Sequence, residues 1–122
     1  LRESDTISFH IHLDDKNFQL VNKKWFNKMK KNIKLINTSR GEIINEQDLL
    51  NFLDKNKKAN YIADVISNEQ NNKKHNKLFN LAKKTDQIIL TPHIGGMTIE
   101  AQELAYNHAT SILKKEISLL KK

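Results

Sequence analysis

Arg40 and His93 are each carried by a short motif that collects the chain's scarce backbone-shaping residues. Gly41 closes Ile36-Asn37-Thr38-Ser39-Arg40-Gly41, while Pro92, Gly95 and Gly96 fall in Thr91-Pro92-His93-Ile94-Gly95-Gly96, and the chain has only 3 glycines and 1 proline in all. Glycine admits tight turns and close backbone approach, and proline fixes a turn. An arginine grips a carboxylate through two parallel hydrogen bonds. A histidine exchanges a proton near neutral pH. A glutamate beside it, here Glu69, favours the imidazolium and holds the ring in one orientation. Together these groups suit reduction of a 2-keto acid. Arg40 binds and polarises the substrate, His93 protonates the carbonyl oxygen, and Glu69 tunes His93. No side chain supplies a hydride, so a cofactor is required.

The elements that must position these residues alternate between strand and helix. Residues 7–11 read as a strand. Asn22 reads as an N-cap, with Val21 and Phe26 as its hydrophobic staple, and the helix continues through Trp25, Phe26 and Met29. Residues 33–36 form a buried strand that ends at the first motif. Asn45 caps the next helix, stapled by Ile44 and Leu49, with Leu49, Leu50, Phe52 and Leu53 on its apolar face. Residues 61–66 read as a third strand, 67–77 as a polar loop, 78–82 as a short helix and 88–90 as a fourth strand entering the second motif. Thr98 caps a long final helix whose apolar positions 101, 104, 105, 109, 112, 113, 117 and 120 keep helical spacing. Such alternation implies a parallel sheet with helices on its faces, and ligands gather beyond the carboxyl ends of its strands. Arg40, Asp64 and His93 all fall at such ends.

Composition narrows the classes. The length of 122 residues allows one domain with a modest core, and 38% hydrophobic with 29% charged residues is ordinary for a globular chain. No apolar run is long enough to span a bilayer, and no signal-peptide pattern opens the chain. Cysteine is absent, which suits a reducing cytoplasm. The net charge is +7, and of 21 basic residues only Arg2 and Arg40 are arginine. The lysine pairs, such as Lys30-Lys31, Lys57-Lys58 and Lys73-Lys74, are scattered without interleaved aromatics, so a solvated surface is expected rather than a nucleic-acid interface. His10 and His12 share one strand face but lack a third ligand at suitable spacing, so no metal is expected. His75 reads as a solvated residue and His108 as a helix-surface or interface residue. Trp25, Phe26 and Phe52 read as core.

The order and spacing of several stretches carry a resemblance. They are Ser4–His10, Met29-Lys30, Leu35–Gly41, Ala63–Glu69 and Leu90–Thr98. In these the chain resembles the second half of the nucleotide-binding domain of the D-2-hydroxyacid dehydrogenases, and within that family most of all its phosphoglycerate dehydrogenase branch. The resemblance implies an α/β, Rossmann-type doubly wound parallel sheet. It implies NAD as cofactor, and hydride transfer between nicotinamide and a D-2-hydroxy acid or 2-keto acid, 3-phosphoglycerate among them. Residue by residue it assigns Arg40, Glu69 and His93 to catalysis. It assigns Ile11, Thr38, Ser39, Arg40, Asp64, His93, Ile94, Gly95 and Gly96 to the cofactor.

The same resemblance implies an organisation. Residues 1–98 correspond to the C-terminal half of the NAD-binding domain, and 99–122 to a helix returning toward the substrate domain. The chain opens on Leu1 in mid-pattern, and the family's phosphate-binding glycine fingerprint has no counterpart in it, so we expect a piece of a longer, homodimeric protein. Two departures stand out. His12 stands where the family has proline, and Glu69-Gln70 where it has glutamate-proline. Two other readings fit the same residues: an NAD-sensing or corepressor-type binding module, and a fragment inactive alone because an open sheet edge exposes apolar surface.

Overall fold

A computed structural model describes residues 1–69 and 75–120. Gln70 and the pair Lys73-Lys74 lie outside the described residues. The chain divides into two compact units, Leu1–Pro92 and His93–Lys122.

The first unit is built on four parallel strands, β1 (Thr6–Phe9), β2 (Lys34–Asn37), β3 (Asn60–Ala63) and β4 (Ile88–Leu90), laid side by side in chain order. Their connections carry the helices α1 (Lys23–Phe26), α2 (Glu46–Lys55) and α3 (Lys77–Ala82). Parallel strands need such crossovers, and right-handed crossovers moving in one direction put their helices on one face. The residue pattern separates the two faces accordingly. Phe9, Leu35, Asn37, Tyr61, Ala63 and Ile88 are buried with the helices' Phe26, Leu49, Leu53 and Leu78. The alternate positions Ser8, Ile36, Ile62 and Ile89 stand in register across all four strands. That row is half-buried at Ile36 and Ile62, and Ile89 is 56% exposed. A sheet packed on one face in this way is one half of a doubly wound architecture, the other face being apolar and uncovered within this unit.

Side chains rather than helix length hold the short helices. Asn22 Oδ1 accepts from Lys24 N at 3.0 Å, and Asp48 Oδ2, reaching over from α2, accepts from Lys23 N at 2.8 Å. Asn45 caps α2 by accepting from Asp48 N at 2.9 Å, and Asn76 caps α3 by accepting from Phe79 N at 2.9 Å. Each satisfies an amide that the helix leaves without a partner, at roughly 1 kcal/mol apiece. Phe26 of α1 stacks on Phe52 of α2 with ring centroids 5.1 Å apart. At the other end of α2, Gln87 Nε2 donates to the carbonyls of Leu53, Asn56 and Ala59 at 3.2, 3.0 and 3.0 Å. One amide group thereby closes the helix and anchors the approach to β3.

Some boundaries differ from the sequence reading. β1 stops at Phe9, short of Ile11, and β3 at Ala63, short of Ile66. Val65 and Ile66 are buried all the same, so their apolar character serves the core from a turn. Helix α1 ends at Phe26, where Lys28 N and Met29 N bond to Trp25 O and Phe26 O and tighten the chain into turns.

In the second unit, α4 (Ile99–Leu120) follows Thr98, whose Oγ1 accepts from Ala101 N at 3.2 Å as expected of a cap. Its apolar Leu104, Ile112, Leu113 and Ile117 are exposed. Among the described residues no helix is long and apolar enough to cross a membrane.

Candidate functional site

Asn37 ends β2, and its fully buried amide organises everything that follows in the first motif. Nδ2 donates to Arg40 O at 2.9 Å and to Tyr61 Oη at 3.4 Å, while Oδ1 accepts from Ser39 N at 3.1 Å. Its backbone carbonyl accepts from Asp64 N at 3.0 Å. A buried amide left without partners would cost a few kcal/mol, so these bonds fix the loop's course as well as satisfying the group. Burial holds the Tyr61 phenol above its ordinary value, opposed by its bond with Asn37 and reinforced by the negative charge of Glu46. Tyr61 therefore stays neutral and serves as a structural anchor.

Ser39 Oγ donates to Phe9 O at 2.7 Å and so ties the end of β2 to the end of β1. Between the two strand ends lies a cleft of about 410 Å³ lined by His10, Ile11, His12, Leu13, Thr38, Ser39 and Arg40. Four of the residues assigned to the cofactor, Ile11, Thr38, Ser39 and Arg40, thus meet around one space. The exposed Arg40 donates from Nη1 to Ser39 O at 2.7 Å. This bond uses one edge of a planar fork whose other N–H groups suit a carboxylate.

The loop after Arg40 is bound to the segment that carries Glu69. Gly41 opens a 3-10 turn (Gly41–Ile43). A Cβ on Gly41 would stand 2.0 Å from Ile66 C, 2.2 Å from Ser67 N and 2.5 Å from Ile66 O. Only glycine allows this approach. Glu69 is half-buried, and its Oε1 accepts from Ile66 N at 2.7 Å. Together with Ile66, Phe79, Leu90, Thr91 and Pro92 it lines a small cavity of about 80 Å³. Asp64 follows β3 directly, and its Oδ1 accepts a hydrogen bond from Thr91 Oγ1, joining the carboxyl ends of β3 and β4.

His93, Ile94, Gly95 and Gly96 lie in the second unit, between Pro92 and α4. His93 has a φ of 56°, in the left-handed region. A non-glycine residue there costs of order 1 kcal/mol and is a recurrent feature of functional sites. The glycines expected to supply unusual turns do so differently: among the described residues none has positive φ, and the left-handed positions are Gln19, Asn68 and His93. No group of three His, Cys, Asp or Glu side chains among the described residues is arranged to hold a metal. Sequence reasoning passed over Asn37, Glu42 and Glu46 as site residues. Asn37 stood within the motif and carried a signal; the glutamates looked like ordinary acidic residues near a helix start.

Comparison with known proteins agrees with this geometry. The family model described as "D-isomer specific 2-hydroxyacid dehydrogenase, NAD binding domain" matches residues 1–95. A glyoxylate reductase of Thermofilum pendens is 34% identical over 121 residues, covering 96% of this chain and 34% of that protein. A chloroplastic D-3-phosphoglycerate dehydrogenase of Arabidopsis thaliana is 34% identical over 100 residues, covering 82% of this chain and 15% of that protein. Among solved structures, a D-lactate dehydrogenase of Treponema pallidum superposes with a TM-score of 0.72 at 31% identity, over 92% of this chain and 38% of that one. The chain spans about a third of the length of the glyoxylate reductase it matches.

Proposed function

We propose a catalytic role on this premise: the chain belongs to the D-isomer specific 2-hydroxyacid dehydrogenase family, and residues 1–95 match its NAD-binding domain. Within a longer polypeptide it supplies the catalytic side of a site that interconverts a 2-keto acid and a D-2-hydroxy acid. The observation that carries this reading is the cleft at the carboxyl ends of β1 and β2, where Arg40 stands beside Ile11, Thr38 and Ser39.

The cleft fits part of a dinucleotide. It is of small-ligand size, opens at the strand ends where such ligands bind, and offers the Thr38 and Ser39 hydroxyls. Ile11, Thr38, Ser39 and Arg40 would hold NAD there; the family pattern adds Asp64 and the turn from His93 to Gly96 to the cofactor contacts. NADH, when bound, supplies the hydride. Arg40 grips the substrate carboxylate with its fork and polarises the adjacent carbonyl. His93 donates its proton to the carbonyl oxygen, which prevents an alkoxide from accumulating. In the family pattern Glu69 is the residue that holds the His93 ring in its working orientation.

The substrate class is a small 2-keto or D-2-hydroxy acid, 3-phosphoglycerate being one member. We read residues 1–98 as the C-terminal half of the NAD-binding domain and 99–122 as a helix returning toward the substrate domain, which the exposed apolar residues of α4 support. A homodimeric, cytoplasmic enzyme is the matching assembly and location; the lack of cysteine supports a reducing compartment.

Arg40→Lys tests the reading. In the full-length polypeptide kcat/KM for a 2-keto acid should fall about 10- to 100-fold, because one point charge replaces a bidentate fork. The NADH dissociation constant should change far less. Wild-type kcat/KM in this variant would remove Arg40 from substrate binding.

A further inference from the structure

Three consecutive backbone amides between β3 and α3 are each received by a different carboxylate. Ile66 N donates to Glu69 Oε1 at 2.7 Å, Ser67 N to Glu46 Oε1 at 2.7 Å, and Asn68 N to Glu42 Oε1 at 3.0 Å. The first acceptor belongs to the turn itself. The other two come from the stretch that follows Arg40, Glu42 within the 3-10 turn and Glu46 at the start of α2. Glu46 is the better fixed of the two. Its backbone is set by the Asn45 cap, and its second oxygen, Oε2, accepts from Asn76 Nδ2 at 2.8 Å. A carboxylate in the first turn of a helix is also favoured by the helix dipole.

The consequence falls on Glu69. Its carboxylate hangs from the amide of Ile66, and the next peptide plane is held by Glu46 through Ser67 N. The same peptide is the one that Gly41 lets approach. Asn68, held by Glu42, takes the left-handed conformation with φ 55° that turns the chain back toward Glu69. Charge-assisted bonds to backbone amides are short and directional, so they fix orientation as well as position. Family members carry a proline after the corresponding glutamate; this chain has Gln70, which does not restrict the backbone in that way.

We infer that Glu46 is a positioning residue: from α2 it fixes the Ile66–Ser67 peptide and thereby sets the direction of the Glu69 carboxylate, read above as part of the catalytic set. The inference rests on the catalytic reading above and adds to it the part of the fold that sets the Glu69 geometry. Glu46 touches neither substrate nor cofactor in this scheme.

The test is the pH profile of 2-keto acid reduction in the full-length polypeptide, compared between wild type, Glu46→Gln and Glu69→Gln. Reduction draws a proton from the catalytic set, so the pH profile of kcat reads the placement of Glu69. Glu46→Gln should shift the midpoint in the same direction as Glu69→Gln, by a smaller amount, and lower kcat about tenfold, with KM little changed. The double variant should match Glu69→Gln alone, since both changes act through one group. A shifted midpoint in Glu69→Gln with an unshifted one in Glu46→Gln would overturn this inference and leave the catalytic reading intact. An unshifted midpoint in Glu69→Gln would overturn the catalytic role of Glu69 itself. If Glu46→Gln does not fold, Glu46→Asp carries the same test, because it keeps the charge and withdraws the oxygens from Ser67 N and Asn76.

Discussion

In the full-length polypeptide, His93→Gln is expected to lower turnover of a 2-keto acid by about 10²- to 10⁴-fold, the usual contribution of a positioned general acid. Glutamine approximates the size of the imidazole and keeps hydrogen-bonding capacity, but it cannot deliver a proton at neutral pH. The loss should appear in kcat, because the proton is transferred only as the carbonyl is reduced, an interaction of the transition state. NADH binding should persist, since His93 is one contact among several proposed for the cofactor. The substitution also relieves no backbone constraint, as glutamine at φ 56° is no better suited to the left-handed region than histidine. Steady-state rates with a parallel NADH fluorescence titration check both halves. Near-normal turnover would remove His93 from the chemistry.

The second large effect belongs to a residue with no side chain. Gly41→Ala should destabilise the fold by about 3 kcal/mol or more, at the upper end for overpacking. The new methyl would meet the main chain, with Ile66 C at 2.0 Å and Ser67 N at 2.2 Å, so rotamer changes cannot relieve it. Either the Arg40 loop or the turn leading to Glu69 must move. Because Ile66 N and Ser67 N carry the bonds to Glu69 and Glu46, activity should drop more than the loss of folded protein accounts for. Urea unfolding of the full-length polypeptide, with activity normalised to folded protein, measures the two effects separately. A wild-type unfolding midpoint would mean that the loop and the turn do not meet as closely as described.

How far the sequence could be read follows from the distance over which each feature acts. The caps at Asn22, Asn45 and Thr98 were legible because a capping side chain and the amide it receives lie within a few residues. Strand ends were less so. Ile11, Val65 and Ile66 extend the apolar runs, yet Ile11 lines a cleft and the other two enter the core from a turn. Periodicity registers burial and does not distinguish a strand from a buried turn. The first motif announced Arg40, but the role of Asn37 as its buried organiser required the partners contributed by Tyr61 and Asp64. The glutamate contacts were hidden for the same reason. Ser67 lies 21 residues from Glu46, and Asn68 lies 26 from Glu42, so nothing local marks either pair. Scarce glycine marked tight turns and close backbone approach; the structure uses Gly41 for close approach and gives the left-handed conformation to His93 itself.

On the proposed function, this chain provides the proton-transfer and carboxylate-binding side of a D-specific 2-keto acid reductase. Chiral analysis of the product formed by the full-length polypeptide from NADH and a short 2-keto acid tests it most directly. NADH oxidation should be matched mole for mole by the D-2-hydroxy acid. Formation of the L-isomer, or NADH binding with no reduction of any 2-keto acid across a panel that includes 3-phosphohydroxypyruvate, would contradict it.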